Sequence, residues 1–114
     1  MNHKDLVVWN KSMDLIEEVY KLTMKFPKDE VYGLTMQIKR SAISIPSNIA
    51  EGSKRGSRKD YRHFLLNAYG SAAELETQVE IAKRLQFSGD YTKVENLLVE
   101  ILRMLNTLSN KLQD

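Results

Sequence analysis

Basic side chains are concentrated in the middle of this sequence, in a pattern that could bind phosphate groups. Five of them fall within nine residues and are Lys54, Arg55, Arg58, Lys59 and Arg62. His63 follows directly, and residues 31–63 together carry seven basic and two acidic side chains, although the net charge of the whole chain is only +2. Clustered cations bind nucleic acid by displacing the counterions of its phosphates. The cluster therefore predicts a surface that binds the backbone of RNA or DNA, with structured RNA as the first candidate.

The alternative for this cluster is a solvated loop, because the end of a helical bundle is polar in any case. Tyr61 is the aromatic residue within the cluster, and its spacing places it on a core seam rather than on the surface. A tyrosine in the core cannot stack on bases, which is how aromatic residues contribute to single-strand binding. We therefore expect contacts to the backbone and no sequence-specific readout.

Enzymatic and metal chemistry find little support in the residue pattern. A di-metal bundle uses Glu-x-x-His pairs on two helices, and the sequence contains none. His3 and His63 have no spacing typical of metal ligands. Residues 52–57 are rich in glycine but lack the Gly-Lys-Ser/Thr ending of a phosphate-binding loop. We expect a non-catalytic protein with no catalytic residue, metal or cofactor.

Apolar residues recur at spacings of three and four in four segments, which predicts four helices. The first covers about residues 8–26, and the second runs from about Gly33 to Lys54. The third opens at Ser57, where Ser57 and Asp60 fit a capping box. The fourth follows the turn at residues 88–90. The predicted core consists of Val8, Leu15, Val19, Leu22, Phe26, Leu34, Ile38, Ala42, Ile45, Ile49, Tyr61, Leu65, Ala68, Ala72, Leu75, Val79, Ala82, Val94, Leu98, Ile101, Leu105, Leu108 and Leu112.

Short connections make consecutive helices antiparallel, so the sequence predicts an all-α, up-down-up-down four-helix bundle in one domain over residues 1–114. Pro46 lies inside the second helix, where it is expected to kink the helix and to free the carbonyl of Ala42. Ser44, Ser47 and Asn48 lie close enough to satisfy freed backbone groups.

The second helix has a wider apolar surface than a single bundle requires. At about 100° per residue its apolar side chains span roughly 200°, whereas a bundle helix needs a stripe of little more than about 100°. Met36 and Ile43 form the surplus. We therefore predict a homo-oligomer with Met36 and Ile43 in its interface. The alternative is a helix that contacts two neighbours within its own bundle.

Polar residues form a second line along this helix, at the same spacings. They are Gln37, Ser41, Ser44, Asn48, Glu51 and Arg55. We expect them to form hydrogen bonds with the third helix or with a neighbouring subunit. In an antiparallel hairpin Arg40 falls level with Glu74 and Glu76, so an ion pair from Arg40 to one of these carboxylates is predicted.

The chain has no cysteine and no apolar run near the ~20 residues that cross a bilayer. Its first residues lack the apolar segment of a signal peptide. We expect a cytoplasmic protein with no membrane partner.

Several motifs together resemble a known bacterial family. They lie at residues 26–28 (FPK), 32–35 (YGLT), 37–40 (QIKR), 44–52 (SIPSNIAEG) and 73–78 (AELETQ), with further likeness at 8–9 and 57–61. In this order they are similar to the four-helix bundle proteins encoded by intervening sequences of 23S ribosomal RNA genes. The resemblance implies a ring-like homopentamer with a basic surface and a role in binding RNA or other nucleic acid.

A related, more distant group of this resemblance serves diversity-generating retroelements as accessory proteins, in which the pentamer binds reverse transcriptase and nucleic acid. The alternative function is therefore a protein-binding scaffold or accessory subunit without nucleic-acid activity of its own.

Overall fold

The computed structural model describes residues 2–113 and has four α-helices, as the apolar spacing predicted. Their bounds are α1 Val7–Thr23, α2 Leu34–Ser53, α3 Arg58–Arg84 and α4 Thr92–Lys111. Short 3₁₀ turns at His3–Asp5 and Lys28–Glu30 precede α1 and α2. No strand occurs within residues 2–113, which confirms the all-α bundle. The domain predicted over residues 1–114 also includes Met1 and Asp114, which lie outside the described residues.

Each helix packs against two others, so that α1 contacts α2 and α4, and α3 contacts the same two helices. Contacts between α2 and α3 join rising residue numbers on one helix to falling numbers on the other. Ser41 contacts Glu74 and Ser44 contacts Ser71, each at 2.8 Å. This order is that of neighbouring helices running in opposite directions. The bundle measures 44 × 22 × 21 Å.

The core lies along the shared axis and follows the predicted seams closely. Leu15, Ile38, Leu75 and Ile101 are fully buried, one from each helix. Burying a side chain of this size stabilises the fold by about 1.5–3 kcal/mol relative to leaving it in water. Four predicted core residues, Leu34, Tyr61, Leu108 and Leu112, are only half-buried and pack at the edge of the core.

The first helix ends earlier than predicted, at Thr23. The Thr23 hydroxyl donates to the carbonyl of Val19 at 2.9 Å, and a tighter turn carries the chain on to Phe26. Phe26 nevertheless stays buried, with its ring 5.2 Å from that of Phe87 in an edge-on arrangement. The predicted core position is therefore correct although the residue lies outside the helix.

The third helix ends in a tight turn that places the ring of Phe87 against the ring of Phe26. The Phe87 N–H donates to Ala82 and the Gln86 N–H to Lys83, each at 3.0 Å, which is the bond pattern of a Schellman motif. Gln86 has a φ of 62°, in the left-handed region that such motifs require. A glycine is the usual residue there, and this explains why the sequence pattern did not reveal where α3 ends.

Helix α2 is continuous past Pro46, which is buried. Ser47 and Asn48 bond to the carbonyls of Ile43 and Ser44, at 2.8 and 2.9 Å. Neither side chain therefore binds the Ala42 carbonyl that Pro46 leaves without its usual N–H donor. The kink itself stays a prediction.

Candidate nucleic-acid interface

The basic cluster lies at the end of the bundle where α2 passes into α3, here called the basic tip (Lys54, Arg55, Arg58, Lys59 and Arg62). Arg62 is half-buried, whereas the other four side chains are exposed, as is the neighbouring His63. Helix α3 begins here because the Ser57 hydroxyl accepts a hydrogen bond from the Asp60 N–H at 3.1 Å. This is the serine half of the predicted capping box.

Close packing of α2 on α3 fixes the position of the tip. A Cβ atom at Gly52 would lie 2.7 Å from the Cβ of Phe64 and 3.1 Å from the ring of Tyr61. Only glycine therefore allows the two helices to approach so closely at this point. Tyr61 is half-buried beneath the tip, and this burial raises the pKa of its hydroxyl. Its ring packs against the core and is not displayed for stacking.

Two arginines of the tip also hold the end of α4. Arg58 donates from Nη2 to the carbonyl of Lys111 at 2.8 Å, and Arg62 donates from Nε to the carbonyl of Ser109 at 3.2 Å. The last carbonyls of a helix lack partners within it and carry partial negative charge, so cations there are stabilising. These two residues therefore have a structural role that the sequence did not reveal, because their partners lie about 50 positions away.

The remaining three cations differ in how firmly they are held. Arg55 lies 3.5 Å from the carboxylate of Glu51 and 4.8 Å from the centre of the Phe64 ring. Within residues 2–113, neither Lys54 nor Lys59 uses its ammonium group in a hydrogen bond or an ion pair. These two lysines are the most available cations of the tip.

Replacing Arg62 by methionine should lower the free energy of unfolding by about 1 kcal/mol, because the bond to the end of α4 is lost while the apolar stem is kept. Lys59→Met is the matched control and should leave unfolding unchanged within about 0.5 kcal/mol. Urea denaturation of the two variants measures the difference. Equal stability would contradict the structural role of Arg62.

The polar line of α2 meets α3 as expected at two positions. Ser41 donates to Glu74, whose carboxylate also accepts from Gln78 at 3.3 Å, and Ser44 shares a hydrogen bond with Ser71. Asn48 instead bonds back to Ser44 within α2. Most of these polar side chains therefore form hydrogen bonds or ion pairs within the chain.

The predicted ion pair of Arg40 with Glu74 or Glu76 is wrong. Among residues 2–113 no ion pair joins Arg40 to either carboxylate. Ser41 lies about 100° around the helix from Arg40 and is the residue that faces α3, so it takes Glu74 instead. Arg40 is exposed on the outer side of α2.

Met36 and Ile43, the predicted interface residues, are exposed on the outer side of α2. Met13 and Tyr20 are exposed on the adjoining side of α1. A groove of about 310 Å³ runs between the two helices and is lined by Ile43, Pro46, Trp9 and Met13 among others. The single chain thus leaves an apolar strip uncovered, whereas the interface itself stays a prediction.

Carboxylates that could act as bases lie elsewhere. Glu76, Glu80 and Glu95 line an open groove of about 470 Å³ between α3 and α4. Glu80 lies 3.0 Å from Arg84, and Glu95 accepts from Lys83 at 2.9 Å, which raises the pKa of the lysine. Within residues 2–113, no three His, Asp or Glu side chains are placed to hold a metal ion. None of the helices described is long and apolar enough to span a bilayer.

Comparisons with known proteins match nearly the whole chain. A family model described as 23S rRNA-intervening sequence protein matches residues 4–107. A crystal structure of a protein of unknown function from the S23 ribosomal protein family of Bacteroides thetaiotaomicron is similar, with 26% sequence identity and a TM-score of 0.82. That alignment covers 96% of this chain and 99% of the other. No curated protein matches the chain.

Proposed function

The chain belongs to the 23S rRNA-intervening sequence protein family, and on that premise we propose that it is a non-catalytic, cytoplasmic homo-oligomer that binds structured RNA through its basic tips. The observation that carries this proposal is the pair of exposed lysines, Lys54 and Lys59, whose ammonium groups are held by no carboxylate of residues 2–113. A phosphate can bind such a group without first displacing a protein partner. Arg55 and Arg58 belong to the same tip and retain guanidinium N–H groups that can donate to the phosphate backbone of the RNA.

Folding brings a further positive charge to the basic tip. The bond from Arg58 to Lys111 brings the end of α4, with its own lysine, beside the start of α3. Within residues 51–63 the acids are Glu51 and Asp60, and Glu51 pairs with Arg55. Five of the seven cations of residues 31–63 therefore lie at one end of the bundle, whereas Lys39 and Arg40 lie farther along α2. Such an excess favours polyanions.

Self-association would increase the affinity of this surface without any new contact. Met36 and Ile43 support a homo-oligomer because they leave apolar surface uncovered in the single chain. The family resemblance gives five as the expected number of subunits. An assembly presents one tip per subunit, so that one long RNA can bind several tips at a high effective concentration.

Salt dependence tests the proposal. We expect the logarithm of the affinity for an RNA hairpin to fall linearly with the logarithm of salt concentration, with a slope near −3 if about four phosphates are bound. Fluorescence anisotropy between low and physiological salt measures it. A slope near zero, or no binding at low salt, would contradict the proposal.

A protein-binding scaffold is the second candidate, and one observation favours it. An open groove of about 430 Å³ lies between the start of α1 and the end of α4, lined by Leu6, Val7, Met104 and Leu108 among others. Val7 is largely exposed there. Purification from the host with and without nuclease separates the two functions. A protein partner, such as a polymerase, that stays bound after nuclease treatment favours the scaffold.

A further inference from the structure

We propose that the groove between the start of α1 and the end of α4 binds an amphipathic helix of another protein, with acidic residues about two turns apart on either side of apolar ones. This surface, here called the α1–α4 groove, has a volume of about 430 Å³ and is defined by Leu6, Val7, Arg103, Met104, Leu108 and Lys111. The inference rests on the second candidate function, the scaffold, and names the chemistry of the partner that such a scaffold would take.

The floor of the α1–α4 groove is apolar and open to water. Val7, the first residue of α1, is 61% exposed, and Leu6, Met104 and Leu108 are only half-buried. Among the described residues, none that lines the groove is aromatic, so it offers no ring on which a base could stack. Methionine adapts readily to the shape of apolar side chains on a partner. The floor therefore suits an apolar protein segment better than a nucleobase.

Two cations border this floor without a partner in the described part of the chain. Arg103 and Lys111 are exposed, and within residues 2–113 neither side chain forms a hydrogen bond or an ion pair. Lys111 contributes only its carbonyl, which accepts from Arg58. After Glu100, these two are the only charged residues of α4. The rim that α4 supplies to the groove is therefore basic.

The neighbouring acids do not neutralise this rim. Glu100 lies 2.6 Å from Lys11 in an ion pair that joins α4 to α1 one turn beyond the apolar floor. The hydrogen bond and charge of Lys11 lower the pKa of the Glu100 carboxyl, and Arg103 adds a weaker attraction. Asp5 is exposed at the start of the chain beside Lys4, so that these two charges offset each other. The charge left without compensation at the groove is positive, which favours an acidic partner.

The spacing of the two cations sets the pattern expected of the partner. Arg103 and Lys111 are eight residues apart on α4, which corresponds to about 12 Å along the helix axis. Carboxylates about seven or eight positions apart on a second helix cover the same distance, and the residues one turn in from each lie between them. Apolar side chains at those inner positions can pack on Met104 and Leu108 while each carboxylate meets a cation. This is recognition of a helix by a groove, with burial at the centre and charge at the rim.

Selection from a displayed library of helical peptides tests the pattern. The library randomises one face of an alanine-based helix, and the unmodified protein, freed of RNA by nuclease, selects from it. We expect the enriched sequences to carry acidic residues about two turns apart with apolar residues between them. No enrichment, or enrichment of sequences without this pattern, would overturn the inference.

Val7→Glu and Val99→Glu are a matched pair of variants for locating the selected peptide. Both valines are 61% exposed, but Val99 lines the separate groove between α3 and α4. Val7→Glu should weaken binding at least about 10-fold, because its carboxylate lies in the apolar floor and repels an acidic peptide, whereas Val99→Glu should change it less than about twofold. Fluorescence anisotropy of the labelled peptide measures both, and circular dichroism checks that both variants stay folded. An equal loss in the two would show attraction by net charge alone and would overturn the inference.

Exchanging charges across the contact separates direct pairing from an indirect effect. Arg103→Glu should weaken the selected peptide about 10-fold, and replacing one acidic residue of the peptide by lysine should restore most of that loss. The same lysine peptide should bind the unmodified protein more weakly than the original does. If neither acidic position of the peptide can be exchanged in this way, the proposed pairing with the rim is wrong.

Two other occupants of the groove would give different results. With RNA in the groove, Val7→Glu would weaken an RNA hairpin far more than Val99→Glu does; with a second copy there, Val7→Glu would lower the mass of the assembly in sedimentation. Either result, without peptide binding, overturns the inference. The salt slope of RNA binding is measured on the unmodified protein, and a host protein retained after nuclease tests the scaffold. Failure at the groove is therefore distinguishable from failure of either proposed function.

Discussion

Reversing two charges, Lys54→Glu with Lys59→Glu, should weaken the binding of an RNA hairpin by at least about 100-fold at low salt. The change removes two contacts between a cation and phosphate, each worth about 1.5–3 kcal/mol when a charged group donates, and adds repulsion. The slope of affinity against salt should also become shallower by about two units. Neither ammonium group is held by a protein partner within residues 2–113, so the unfolding free energy should change by less than about 0.5 kcal/mol.

The opposite end of the bundle supplies a matched control. Lys25→Glu with Lys28→Glu makes the same change in net charge at two exposed lysines, beyond the end of α1. At the same low salt we expect affinity within about threefold of the unmodified protein, because the bundle is 44 Å long and the Debye length is about 30 Å even at 0.01 M salt. An equal loss in both double variants would show that net charge, not the tip, governs binding.

These two lysines are a better test of RNA binding than the arginines beside them. Glutamate at Arg58 or Arg62 would also release the end of α4, so that a loss of affinity could come from local unfolding. Lys54 and Lys59 separate the two effects. The structure thus divides a cluster that is uniform in the sequence into cations that support the bundle and cations that are free to bind.

The fold was predictable because it depends on a repeating pattern. Leu65, Ala68, Ala72 and Leu75 follow one another at three and four residues, and each is fully buried. Such spacing places side chains on one face whatever the neighbouring helices are. The ends of helices were less predictable, as Gln86 shows by taking a left-handed conformation usually left to glycine.

The candidate site was predictable in its location and not in its contacts. Its place at the α2–α3 turn follows from sequence order alone. The contact of Arg62 with Ser109 depends instead on how α3 and α4 are aligned along the bundle, which local spacing does not encode. The same limit explains the error over Arg40, since a rotation of about 100° decides whether it or Ser41 faces Glu74.

The second large effect concerns the packing beneath the tip. Gly52→Val should lower the free energy of unfolding by about 3 kcal/mol, because the new Cβ would meet the Cβ of Phe64 at 2.7 Å and the backbone oxygen of Tyr61 at 3.3 Å. Neither atom is the flexible end of a side chain, so α2 and α3 must move apart. Denaturant unfolding at one protein concentration measures the loss.

The same substitution four residues later provides the control. Gly56 has nothing within 4 Å of its Cβ position and no positive φ, so Gly56→Val should change stability by less than about 0.5 kcal/mol. Equal effects at the two positions would mean that the loss comes from the valine itself and not from crowding between the helices. A loss confined to Gly52 would establish that the distance between α2 and α3 is set at this residue, and with it the position of Lys54 and Lys59 at the tip.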